Sequence, residues 1–571
     1  MNEFTQEGLL MASLRDIYAE KALSQIPRLL SAQDRNRFSP TYGCMNREYW
    51  LCRATDFPSS IAQFGTHALA LAYAHAMPGN PYHGHPKILE WTLAGMEYWT
   101  RVQHRDGSFD EFYPNERGWA GPTGFLLYVM CDTCRRLQPQ IPAGLRERVL
   151  QAAHRAALFL ARTDEAGVLA NHHAMAVLPL VEAHALLGDP KLESAFKQKL
   201  DIFFRHCRDE GWCLEYDGTD PGYLSATISF IAKTRRLYED ERFLPHLRKW
   251  VEFSSYFVYP NGHYGGTLGS RQTLHFYPHG YELLAGEIPL AAAVADRMLR
   301  GLREGALVPP EIQGERYFVY RIPEFLLAYL DFGPRPESLP ALPYEREPFQ
   351  CYFPQARILV RRHKASYTLV NAAKGGVVKH FPLPEGRLTV NNCGLLGKLE
   401  NGVIFTSQWI DGSHEVQHGG NEITITGRCH KIPAKVFTPW KFILFRLAVL
   451  LLGWHEKTAY HLKGGIRNLL MLGNRPLPVR FKRFIRWKED GLEVLTRIWL
   501  EGSVRVAGLQ MGDEFPARYV PQSRYFQPQE LDIRGYGLTP EDLLQLNRQR
   551  TLSVVERYTP GDTESRFSVE G

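Results

Sequence analysis

DFGPRPESLPALPYERE, residues 331–347, divides the chain: its four prolines withhold backbone N–H groups from any helix interior or central strand. Before it, apolar residues recur at helical spacing. Ile88, Trp91, Leu93, Met96 and Trp99 mark one helix. Leu145, Val149, Ala153, Ala157 and Leu158 mark a second, and Met175, Leu178, Val181 and Ala185 a third. After it, the period falls to two. ARILVRR, SYTLVNA, GRLTVNN, GVIFTSQ, NEITITG and LEVLTRIWL alternate or are β-branched, with Gly, Asn and Asp turns between them.

The helical part also repeats a loop. Gly107 sits in RDGSFDE, Gly167 in DEAGVLANHH, Gly211 in DEGWCLEYDG and Gly262 in PNGHYGG, at intervals of 60, 44 and 51 residues. Such an interval holds two helices and their turns, so a closed or partly closed ring of helical hairpins is expected. Its glycine loops would gather at one rim and build one cleft. The predicted fold is multidomain α+β: an N-terminal (α/α) toroid over residues 1–335, then a C-terminal antiparallel β-sandwich over 336–571.

With 571 residues, 44% hydrophobic and 22% charged, the chain reads as an ordinary globular protein of more than one domain. The net charge of +6 suits a polyanionic ligand. Zinc-finger spacing, a Walker loop and an arginine-rich arm are all absent, so nucleic acid is not an expected partner. Nine Cys is an odd number, and Cys131 and Cys134, on an expected helix with no second pair, read as free thiols. Residues 1–19 lack the basic start and apolar run of a signal peptide, which points to the cytoplasm. WKFILFRLAVLLLGW, residues 440–454, is too short to span a bilayer and contains Arg446. Residues 431–490 hold 13 Lys/Arg against 3 Asp/Glu. A buried element with a basic face is the preferred reading. Peripheral contact with the inner-membrane surface through 440–490 is the other.

Four loops carry the candidate chemistry. Asn171-His172-His173 follows a glycine loop and opens an apolar helix. Asn171 could act only as a cap. Two adjacent histidines cannot both be cap or core, so at least one is expected in the cleft. GWCLEYDGTDPGYLS (211–225) supplies Tyr216 and Tyr223. HYGGTLGSRQTLHFYPHGYE (263–282) supplies Tyr264, Arg271, His275 and Tyr277, with Arg271 suited to grip a carboxylate. DGSFDEFYPNERGW (106–119) supplies Tyr113, Glu116, Arg117 and Trp119, which could equally be a rim loop held by Glu–Arg pairing. Together these are expected to line a substrate cleft. Removing the C5 proton of a uronate needs Asn and His donors on its carboxylate, then a His or Tyr to move protons. Nearby Arg or His⁺ would favour an ionised tyrosine.

The order of helical repeats then sandwich resembles the heparinase II/III-like and oligoalginate-lyase group of polysaccharide lyases. Asn171-His172 is similar to that group's carboxylate-neutralising Asn-His pair, and Tyr223 to its catalytic tyrosine. FSPTYGCMNREYWLCRATDFPSS (38–60), DGSFDEFYPNERGW and EYDGTDPGYLS resemble heparinase-like proteins encoded beside bacterial surface-polysaccharide genes. The resemblance implies β-elimination on an acidic polysaccharide or oligosaccharide, without a cofactor. Many members carry a His-x-His early in the β-domain, one His facing the cleft and one helping to bind structural zinc. Here GGVVKHFPLPEGRLTVNN (375–392) offers only His380, a candidate base. His414 and His418, four apart in a loop, are weak zinc ligands on spacing alone, so no metal is expected. A glycoside hydrolase on the same toroid, and a non-catalytic polysaccharide-binding or assembly protein, are the alternatives.

Overall fold

The structure, a computed structural model, describes residues 14–117, 120–165, 169–433, 436, 438–468, 473, 475–489, 491–512, 525–526, 531, 535–559 and 566–570. Its first half is built of antiparallel helical hairpins: α1 (Gly65–Ala74) with α2 (Pro86–Val102), α3 (Gly121–Arg136) with α4 (Ala143–Arg162), and α5 (Ala170–Leu187) with α6 (Pro190–Phe204). They continue as α7 (Pro221–Arg235) with α8 (Phe243–Ser255), α9 (His279–Leu284) with α10 (Pro289–Arg303), and α11 (Glu315–Leu330). The odd-numbered helices touch in sequence, and α11 returns to α1, which closes the ring. Arg15 donates to Tyr329 O and Tyr18 to Glu282, so the N-terminal helical segment backs the last hairpin from outside.

The division into inner and outer helices follows from composition. α1 buries every residue from Gly65 to Ala72, and α5 nearly all of Ala170–Ala183. A helix apolar all round must be enclosed. α2 buries a stripe through Ile88, Thr92, Met96 and Trp99 and leaves its other face polar, as an outer helix should. Because the helices alternate in direction, every outer-to-inner connection lies at one rim. These are the long loops, including 103–120, 205–220 and 256–278.

Two of the repeated glycines, Gly107 and Gly211, share a geometry with Gly43, whereas a Cβ on Gly262 would meet only side-chain atoms, Ala306 Cβ among them at 3.1 Å. Gly43, Gly107 and Gly211 have φ of 90°, 96° and 94°. A Cβ on each would stand 2.1 Å from Ala94 O, 2.2 Å from Arg155 O and 2.3 Å from Lys249 O, respectively. Each contact is with the next outer helix of the ring. The repeat is therefore a packing device: left-handed backbone and close approach together require glycine. Gly167 lies outside the described residues.

After Leu330 the next regular strand begins at Phe349. β1 (Phe349–Phe353), β2 (Ile358–His363), β3 (Ser366–Asn371), β4 (Val377–Pro382) and β5 (Val390–Asn392) form an antiparallel meander. A second, ten-stranded antiparallel sheet packs on it. Leu359, Val370 and Val378 face that sheet, while Ile358, Val360, Leu369 and Val377 join the toroid's core. The meander is thus buried on both faces. Between strands Glu422–Lys431 and Pro476–Lys488 a helical hairpin is inserted, α12 (Pro439–Leu452) and α13 (Glu456–Arg467). This corrects the preferred reading of residues 440–454: within α12 only Val449 is buried. Among the described residues no helix is long and apolar enough to cross a membrane.

Candidate active site

The rim loops bring Asn171, His172, Tyr216, Tyr223, Arg271 and His275 into one linked cluster. Asn171 lies inside the first turn of α5 and is not its cap. Its Nδ2 donates to Glu215 Oε1 at 2.6 Å, and its backbone N–H donates to Oε2 at 3.2 Å. Glu215 thereby satisfies one of the unpaired N–H groups of that helix start. Burial pushes the Glu215 carboxyl up to about 8, against the opposing pull of the Asn171 hydrogen bonds. It therefore holds its proton at neutral pH. His172 presents Nδ1 to Glu165 Oε2 at 3.1 Å and keeps part of its ring exposed.

Tyr223 enters the site from the first turn of α7, which Asp220 caps. Its hydroxyl lies 3.4 Å from that of Tyr317 on α11. Burial, then the Tyr317 and Tyr216 phenols, hold the Tyr223 phenol well above its usual value. This corrects the expectation of an ionised tyrosine. The Arg271 guanidinium sits 4.1 Å over the ring of Tyr216. His275 stacks on Tyr317 at 4.4 Å, and burial keeps its imidazole neutral. Tyr216 and Tyr223 are half-buried, whereas Glu215, Arg271 and His275 form the wall behind them. Glu165 and Tyr317 were not among the residues singled out from sequence, and Glu215 was available there only as a carboxyl for the hydrolase alternative. Glu215 shared a loop with Tyr216, but nothing in the sequence paired it with Asn171.

Other predicted residues serve elsewhere. Tyr264 is buried and donates to Pro221 O at 2.9 Å, bracing the loop from within the core. Tyr277 lines the small aromatic cavity on the ring axis with Phe125, Phe230 and Tyr320. His173 stacks on His206 at 4.5 Å, at the outer side of α5. Glu116 is buried, accepts from the N–H groups of Glu111 and Phe112, and pairs with Lys463 of α13. Arg117 faces Asp106, so Glu116–Arg117 pairing does not hold this loop. Tyr113 packs edge-on against Phe445 of α12 at 5.5 Å. Trp119 lies outside the described residues.

His380 is also corrected. Strand side chains alternate, and on β4 Val378 and His380 face the second sheet, while Val377, Lys379 and Phe381 face the toroid. His380 Nδ1 is 2.8 Å from Thr368 Oγ1 inside the sandwich, where burial lowers the imidazole to about 4. On the toroid side, Lys379 lies 5.6 Å from the Tyr259 ring.

A metal-capable group lies behind the cleft loop. Asp411, His414 and His430 place one ligand atom each within 4.8 Å of one another. Two imidazoles and a carboxylate are a donor set that zinc accepts. His418, the partner suggested by spacing, instead lies against Tyr352 at 4.1 Å. The neighbouring Ile410 touches the turn at Gly218, three residues beyond Glu215.

No protein-family model and no curated protein matches the chain. Among solved structures it is similar to a variant of chondroitin AC lyase from Streptomyces coelicolor A3, at 11% identity and a TM-score of 0.48, over 87% of this chain and 67% of that one. A variant of heparan sulfate lyase from Pedobacter heparinus is similar over 96% of this chain and 76% of its own, at 11% identity and a TM-score of 0.42. Cellobiose 2-epimerase from Spirochaeta thermophila DSM 6192 is similar over 56% of this chain and 98% of its own, at 16% identity and a TM-score of 0.38.

Proposed function

We propose that this protein is a polysaccharide lyase that cleaves a uronic-acid-containing polymer by β-elimination. The observation that carries the reading is the Asn171–Glu215 pair beside His172 and the protonated phenol of Tyr223. A carboxamide Nδ2 has two hydrogens, and Glu215 takes one. The other donates to the substrate carboxylate. A neutral Glu215 adds no negative charge against an acidic substrate, and Arg271 contributes a positive one. Glu165 holds His172 through Nδ1, leaving Nε2 as the basic atom. His172 Nε2 takes the C5 proton, the C4–O4 bond breaks, and C4=C5 forms. Tyr223 gives its proton to the departing O4, in keeping with a phenol held protonated. Solvent returns both groups to their starting states. No step requires a cofactor.

Three of the carboxyls that a hydrolase could use are committed to the fold. Asp220 caps α7 and accepts from Arg271 N–H, Glu111 pairs with Arg316, and Glu116 with Lys463. The test is a screen of alginate, glucuronan, glycosaminoglycans and capsular aminouronans, read by the ultraviolet absorbance of an unsaturated uronate. The chromophore should appear with one of them. Tyr223→Phe should lower its rate by about 10²–10⁴-fold with binding retained. New reducing ends without the chromophore would show a hydrolase instead, and binding without turnover a binding module.

A further inference from the structure

α12 carries two apolar faces, and the fold uses only one. On a helix turning about 100° per residue, Phe442, Phe445, Arg446 and Val449 share one side. That side meets the toroid: Phe445 packs on Tyr113, Arg446 pairs with Asp56, and Gly453 abuts Asn115. Phe442 and Arg446 also wall a groove of about 860 Å³ with Asn46, Arg53, Glu111 and Phe112. Lys463 and Glu456 on α13 fasten the hairpin to Glu116 and Arg162 of the ring.

Trp440, Ile443, Leu444, Leu447 and Leu451 fall on the opposite side, within an arc about 100° wide, while Trp454, in the turn after the helix, has its ring against Arg117 of the toroid. All five are exposed, Trp440 by 76%, Leu444 by 67% and Leu451 by 75%. An apolar stripe of this extent on a water-facing helix marks an interaction surface. Its chemistry identifies the partner. Trp440 stands at the start of the stripe, a position such a ring takes at a membrane–water boundary. Residues 439–455 contain no Asp or Glu, while Lys441 and Lys457 flank the stripe, both exposed. Two copies paired antiparallel through it would set Lys441 of one against Lys457 of the other with no acid between them, so the charges favour an anionic surface over a second copy. Fourteen residues give a helix about 21 Å long, short of the roughly 30 Å needed to span a bilayer. Such a helix lies in the interface.

We propose that the outward face of α12 docks this protein on an anionic lipid bilayer, with the helix lying in the headgroup plane. The inner face of α12 walls the groove beside Glu111, so docking holds the rim of the toroid close to the lipid surface. The experiment is flotation of the full chain with vesicles of phosphatidylglycerol and phosphatidylcholine in equal parts, against vesicles of phosphatidylcholine alone. The wild type should float with the anionic vesicles, and less well as salt is raised. Leu444→Asp/Leu451→Asp should lose binding at least about tenfold. Leu444→Phe/Leu451→Phe should retain it, and both variants should keep the wild-type circular dichroism. Failure of the wild type to float, equal binding to the uncharged vesicles, or equal binding by the Asp variant would each overturn the proposal. So would a wild-type dimer in sedimentation that the Asp variant converts to monomer.

Discussion

Glu215 concentrates the electrostatics of the site in a single carboxyl. A free glutamate titrates near 4.3, and burial raises this one to about 8. A raised carboxyl binds its proton more tightly in the folded than in the unfolded chain. Its contribution to stability is therefore complete below about 4.3 and is lost as pH climbs through about 8. Thermal melts of the wild type should show a falling Tm across that window, and Glu215→Gln, which cannot ionise, should flatten the slope. An unchanged slope would mean that Glu215 is already ionised in the fold. Asn171 and Tyr223 were legible as candidates because their loop setting is local. Their partners were not, since Glu215 and Tyr317 reach them only through the pairing of different hairpins.

The glycine loops and the strand register make their own demands at the scale of elements. Gly211 has φ of 94°, and a Cβ there would meet Lys249 O at 2.3 Å. Gly211→Ala should destabilise by about 2 kcal/mol or more, from backbone strain and the displaced outer helix. Chemical denaturation measures this, and a loss of only a few tenths would refute the packing role. On β4 the alternation of side chains directs Lys379 to the toroid and His380 into the sandwich. His380→Ala should therefore leave kcat unchanged while costing about 1–3 kcal/mol, through the cut Thr368 hydrogen bond and the space left behind. A kcat loss beyond about tenfold, with stability intact, would return His380 to the chemistry. The glycine spacing was visible in the sequence, but it reads equally as cleft or as packing until the facing carbonyls are known.

At the scale of the whole molecule, the sandwich seals one side of the toroid and reaches its rim loops at several places, two of which bear on the site. The α12–α13 hairpin pins the loop that holds Glu116, and Ile410 pins the turn at Gly218. Asp411, His414 and His430 stand directly behind that second contact. Zinc held there would stiffen the loop that carries Glu215. Equilibration with zinc should raise Tm, and His430→Ala should abolish the rise. Elemental analysis finding no metal, with a Tm insensitive to zinc, would leave the three as a hydrogen-bonded cluster. Spacing along the chain could not identify this group, because Asp411 and His430 come from a loop and a strand end that only the second sheet brings together.

Apolar period, proline content and glycine recurrence are local properties, and from them alone the chain reads as a helical ring followed by β-structure. That reading extends to the rim loops, because hairpins of alternating direction have no other place for their long connections. Contacts between distant segments obey no such local rule. Which carboxylate meets Asn171, which way β4 faces, and which side of α12 is left to solvent depend on how hairpins, sheets and the inserted helices pack. A one-residue change in strand register or a half-turn of a helix would reverse each answer without altering the hydrophobic pattern that encodes the fold.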